Sequence, residues 1–128
     1  AFAHMGEKHE GDHGESMENH MEKMKILHSS MARFNIIMDT IFHSIIFSNF
    51  KGLEKSAKEL KETASALTGT TPHKNLASLD TYGERIKVLQ KATIGFEESI
   101  KKNDPTEITE SFGNVLGACV RCHISFRD

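Results

Sequence analysis

The chain is predicted to be all-α, an antiparallel four-helix bundle. Three observations predict it. Apolar residues recur at three- and four-residue steps in four successive segments. β-Branched residues do not alternate with polar ones, and the 128 residues include no tryptophan, one tyrosine and two prolines. Short connections carrying helix stop and start signals separate the segments, and amphipathic helices so joined pack against their neighbours in the antiparallel sense. The length suits one domain.

The elements follow in order. Residues 1–15 show no apolar period and are expected to form a flexible His/Glu-rich arm containing His4, His9 and His13. Residues 16–128 are expected to form the helical domain. Its first helix should run from about Ser16 to Ser48. A seven-residue step from Met17 reaches Met24, Met31, Met38 and Ile45. The companion seam holds Met21, His28, Asn35 and Phe42, and Leu27, Phe34 and Ile41 widen the apolar stripe. The second helix reads Phe50 to Leu67, capped by Asn49, with Leu53, Ala57, Leu60, Ala64 and Leu67 inward and Gly69 as the stop. Thr70 to Asn75 is a loop by composition.

The third helix runs from about Leu79 to Lys102. Leu79, Tyr82, Ile86, Leu89, Thr93, Phe96 and Ile100 form its inner face, and Lys101 and Lys102 suit its C-terminal dipole end. Asp104-Pro105-Thr106-Glu107 is a strong helix start: Asp104 caps, Pro105 takes the first turn and Glu107 can bond back. The fourth helix then reaches about Phe126, with Ile108, Phe112, Val115, Cys119, Cys122 and Phe126 inward.

Composition narrows the function classes. The formal charge is −2, and no basic stripe suggests nucleic acid. No run of eighteen apolar residues exists, so no membrane span is expected.

The chemistry concentrates in Cys119-Val120-Arg121-Cys122-His123. Two thiols separated by two residues and followed at once by histidine form the attachment site of a c-type haem. On a helix the three fall at i, i+3 and i+4, on one face. Two thioethers can then hold one porphyrin edge while the imidazole reaches the iron. Other uses of two cysteines fit less well. A thioredoxin-like pair needs a βαβ setting. A zinc site needs two further ligands, and no second cysteine pair exists. A disulfide at this spacing would strain a helix. The expected cofactor is therefore one covalent haem c, whose propionates would add about two negative charges at neutral pH. Haem attachment is extracytoplasmic in bacteria. Ala1-Phe2-Ala3 looks like the end of a cleaved export signal, so a periplasmic protein is expected.

With this motif on the last of four helices, the chain resembles the class II c-type cytochromes, which comprise the cytochromes c-prime and their low-spin relatives. The similarity covers about Lys23 to Arg127. Its sharpest element is Cys119-Val120-Arg121-Cys122-His123-Ile124-Ser125-Phe126-Arg127, which matches the family pattern Cys-x-x-Cys-His-x-x-Phe/Tyr-Arg in full. Phe112, Gly113 and Gly117-Ala118 look like the family's lead-in. The resemblance implies thioethers at Cys119 and Cys122 and proximal ligation by His123. It places Arg127 near the proximal imidazole and haem edge, and Phe112 against the cofactor.

The family divides on the distal side. A helix 1 methionine ligates the iron in electron-transferring members. An apolar side chain covers it in members that bind nitric oxide or carbon monoxide. The family register falls nearest Met31, although Leu27 stands where relatives often carry a basic residue. Methionine is a good axial ligand for low-spin haem, and methionine at helical spacing is also common core filler. Met24 and Met38 lie about 10 Å away along the axis, so at most one of the three can serve. His28, three residues before Met31, is the rival ligand. Asn35 can bond a propionate or face solvent, and His43 is expected at the surface.

The leading expectation is a periplasmic electron carrier with His123/Met31 ligation, serving redox partner proteins. The alternative is gas binding, with nitric oxide or carbon monoxide at an open distal side. A lesser one is metal binding by the arm through His4, His9, His13 and His20. No general acid/base pair suggests an enzyme. Apolar residues beyond one seam on helix 1, namely Ile36, Ile37, Phe42, Ile46 and Phe47, leave material for a homodimer surface.

Overall fold

Ser16 opens the first helix: its hydroxyl accepts from the Asn19 amide at 3.0 Å, satisfying one of the unpaired N–H groups of the first turn. The computed structural model describes residues 16–127. Helix α1 spans Met17–Ile46, α2 Leu53–Ser65, α3 Leu79–Lys102 and α4 Pro105–Phe126, with a 3₁₀ turn at Leu76–Ser78. The described residues are otherwise turns and coil, as the spacing predicts. None of the helices is long and apolar enough to cross a membrane.

The third and fourth helices begin and end where their signals stand. Asn103, left-handed at φ 58°, closes α3 behind Lys101 and Lys102. The Asp104 side chain accepts from the Thr106 amide at 2.9 Å, and Pro105 takes the first helical position. The second helix departs from expectation. It starts at Leu53 rather than Phe50, and Asn49 does not cap it. Reversing the chain after α1 takes two left-handed residues, Ser48 (φ 53°) and Gly52 (φ 87°), so Phe50 and Lys51 belong to the turn. Gly69, also left-handed at φ 83°, follows α2 as predicted.

Packing proceeds in chain order, α1 on α2, α2 on α3 and α3 on α4. Cross-helix pairs show the direction. Lys61 meets Glu97 at 2.8 Å, while three residues further along α2 the Ala64 carbonyl accepts from Gln90 at 3.0 Å. Tyr82 meets Phe126 and Phe96 meets Phe112. Rising numbers on one helix face falling numbers on the next, so α2 with α3 and α3 with α4 are antiparallel.

The core holds Leu53, Leu60, Leu67, Phe96, Ile108 and Val115, all essentially without solvent contact. All five inward residues expected of the second helix are buried. Buried Thr63, Thr93 and Ser99 donate to carbonyls of their own helices at 2.7 Å, so each hydroxyl is satisfied.

The first helix turns differently from the methionine register. Its buried line is Leu27, Ser30, Phe34, Ile37 and Ile41. Met31, Met38 and Ile45 flank that line, half-buried, while Met17, Met21 and Phe42 are exposed. Ile37, expected on a partner surface, belongs to the core, and Leu79, expected inward, is exposed where the 3₁₀ turn enters α3.

Candidate cofactor site

Helices α1 and α4 do not close on each other as the other neighbours do. Between them lies a cavity of about 590 Å³, within the size range of small-molecule and cofactor sites. One wall is α1, through Leu27, His28, Met31, Phe34, Asn35 and Met38. The facing wall is α4, through Leu116, Cys119, Val120, Cys122, His123 and Phe126, with Arg127 just past its end. Tyr82, Ile86 and Leu89 of α3 form the floor, and Leu67, Pro72 and His73 of the α2–α3 connection close one end. A smaller hollow of about 330 Å³ involves Val120, His123, Ile124 and Arg127.

The i, i+3, i+4 spacing places Cys119, Cys122 and His123 together on the α4 wall, inside one unbroken helix. Both cysteines are free thiols, Cys122 buried and Cys119 half-buried. Burial raises the pKa of each. The neighbouring Cys122 adds to the rise at Cys119, and the Arg85 charge opposes it at Cys122. Both are therefore held as neutral thiols. His123 moves the other way. Desolvation, then the nearby Arg127 guanidinium, push its imidazole below its ordinary pKa. A neutral imidazole with a free lone pair is the form that ligates a metal. Arg127 also ties back to the site through its backbone, its amide donating to the His123 carbonyl at 3.2 Å.

Of the residues singled out from sequence, Cys119, Cys122, His123, Met31, His28 and Arg127 all line this cavity. Phe112 does not. Its ring packs on Phe96, 5.9 Å between centres, so it supports α4 from the core rather than touching the site. Asn35 lines the α1 wall. His43 is turned to its own helix, within 2.9 Å of the Asp39 carbonyl. His4, His9 and His13 lie outside the described residues, whereas His20 belongs to α1.

The loop contributes residues that sequence reasoning did not flag. Thr70 and Tyr82 share a buried hydroxyl–hydroxyl hydrogen bond of 2.7 Å. Burial is the main reason the Tyr82 phenol is raised in pKa, and it stays a neutral hydrogen-bonding group. His73 meets His28 across the cavity end, Nε2 to Nε2 at 3.2 Å. The Asn75 amide donates to the Ser125 carbonyl at the end of α4. The loop thus touches α3, α1 and α4 in turn and bridges the seam the helices leave open. The only prior signal was a histidine and an asparagine in a short polar connection.

No family model, curated protein or solved structure matches the chain.

Proposed function

We propose that the chain is a c-type cytochrome of the class II kind, carrying one covalent haem between α1 and α4 and transferring electrons in the periplasm. One observation carries this reading: two free thiols and a neutral imidazole share a helix wall of an apolar cavity, with a methionine on the opposite wall. The donor set suits the group. Cys119 and Cys122 would hold it through thioethers, His123 would be the proximal ligand and Met31 the distal one. When bound, the haem iron supplies the one-electron ferric–ferrous couple. The protein's part is to set the potential through ligand type, burial and charge.

The wall residues divide that work. Leu27, Phe34, Ile86, Leu89 and Phe126 exclude water and keep the local dielectric low. Arg127, exposed at the edge, offers a guanidinium to a carboxylate. The contact between His28 and His73 favours Met31 over His28 as distal ligand, because it already engages the nitrogen that His28 would need. An apolar distal wall at Leu27 and Phe34 also suits the second reading, in which Met31 is a lid over a gas site for nitric oxide or carbon monoxide. Two copies would meet, if they pair, through the exposed Ile36, Phe42, Ile46 and Phe47, which equilibrium sedimentation tests.

Intact-mass spectrometry of chain produced in a host with haem attachment machinery tests the cofactor. One haem added per chain, retained after denaturation and absent from Cys119→Ala/Cys122→Ala, is the expected result. An unmodified chain would remove the proposal.

A further inference from the structure

We propose that His28 and His73 form a second, independent metal site at the end of the cavity, for a borderline divalent cation such as zinc or copper. The two Nε2 atoms stand 3.2 Å apart, while the ring centres are 5.1 Å apart and the planes lie within 12° of each other. The nitrogens are thus much nearer than the rings, and the imidazoles meet through their nitrogen edges. Zinc–nitrogen bonds of about 2.0–2.1 Å at a tetrahedral angle place two ligand nitrogens about 3.3–3.4 Å apart. The pair already has the ligand spacing. With no metal bound, one ring donates its Nε2–H to the other Nε2; on binding, that ring shifts to the Nδ1–H tautomer, so both Nε2 lone pairs are free for the cation.

The two ligands come from separate elements that the fold holds in place. His28 sits within α1, beside buried Leu27. His73 follows buried Pro72, and the loop is pinned on both sides, by Thr70 on Tyr82 and by Asn75 on Ser125. Little ordering remains to be done on binding. Both imidazoles are exposed, so a cation reaches them from solvent. Among the described residues no group of three or more His, Cys, Asp or Glu is assembled. Water therefore completes the shell, which suits an exchangeable ion rather than a closed structural site. Imidazole ligands suit zinc, copper and nickel and disfavour magnesium or calcium. A bound ion would fasten the α2–α3 loop to α1 across the cavity end. The site does not depend on the cavity holding a haem.

The test is calorimetric titration of zinc into the full chain and into His28→Ala, His73→Ala and His43→Ala. Any binding by arm histidines is common to all four and cancels. The expected result is one zinc equivalent that is lost in both His28→Ala and His73→Ala and kept in His43→Ala. Cobalt gives a second readout: tetrahedral ligand-field bands in the parent, absent from both variants. Heats unchanged in either variant, or no zinc bound by the parent beyond what the variants bind, would overturn the proposal. Circular dichroism melts of each variant without metal separate lost ligation from lost folding. Should an alanine variant melt early, His73→Gln replaces it, with the same two outcomes.

Discussion

Two seams of this molecule are lined by similar side chains and end differently. Between α3 and α4, Tyr82 packs edge-on to Phe126 with ring centres 5.3 Å apart, Phe96 meets Phe112, and Val115 is sealed from solvent. Between α1 and α4, Leu27, Met31 and Phe34 face Leu116, Cys119 and Val120 across about 590 Å³ of space. The gap is lined mostly by apolar side chains, opens to solvent past exposed His28, Asn35 and His123, and has the volume of a ligand or cofactor site.

Substitutions can break that contrast. The largest effect belongs to the thiols. Cys119→Ala/Cys122→Ala should abolish covalent haem retention, read by mass after denaturation, while leaving the α3–α4 seam helical by circular dichroism. Retained haem would show that attachment lies elsewhere.

Next is the closed seam itself. Phe96→Ala removes a ring with no solvent contact and should cost about 3–5 kcal/mol in denaturant unfolding. Met31→Ala, at the half-buried wall, should cost distinctly less in cofactor-free protein and change the haem spectrum far more. Equal stability costs would mean that the open seam is ordinary core. Tyr82→Phe leaves the packing and deletes the buried bond to Thr70. It should cost about 1 kcal/mol, because the Thr70 hydroxyl keeps its bond to the Leu67 carbonyl at 2.7 Å.

Acid sharpens the comparison further. The folded state holds His123 below its ordinary pKa of 6.5. The unfolded chain therefore binds this proton first as pH falls. In cofactor-free protein the stability contribution is intact above about pH 6.5 and declines as pH drops below it. His123→Gln should flatten that part of the stability–pH curve, and an unchanged slope would assign it to other histidines. The smallest effect is at the neighbouring α2–α3 contact. Lys61 holds Glu97 below the usual carboxylate range. This pair stabilises at neutral pH and is lost in strong acid, as pH falls through the lowered Glu97 value. A double-mutant cycle on these partly exposed side chains should give about 1 kcal/mol or less.

The closed seam was readable from sequence because each of its parts is local. Three-four spacing names the buried face of α3, and Asp104-Pro105 marks the start of α4 within one turn. The thiols and His123 were readable for the same reason, since a helix alone brings i, i+3 and i+4 together. What escaped was tertiary. Ser48 gave no sign that it would turn left-handed and delay α2 to Leu53. The methionine heptad on α1 is a real period. Yet the helix buries the Leu27–Phe34–Ile41 line and leaves Met31 at its flank, toward the cavity. Phe112 shares the inner face with Cys119 but lies about two turns away, and one face of a long helix serves both core and cavity. His73 could not be placed by any periodicity, because its partner is 45 residues away.

The most direct measurement is the optical spectrum of the purified protein, ferric and ferrous, with and without carbon monoxide, for the parent and Met31→Ala. Haem held by His123 and Met31 predicts a low-spin spectrum with a sulfur-to-iron charge-transfer band. That spectrum should be insensitive to carbon monoxide in the parent and become sensitive in the variant. A parent that is high-spin and binds carbon monoxide would contradict electron transfer through a methionine-ligated iron and make the α1 wall a gas pocket. A spectrum with no haem at all would leave the cavity to a different ligand.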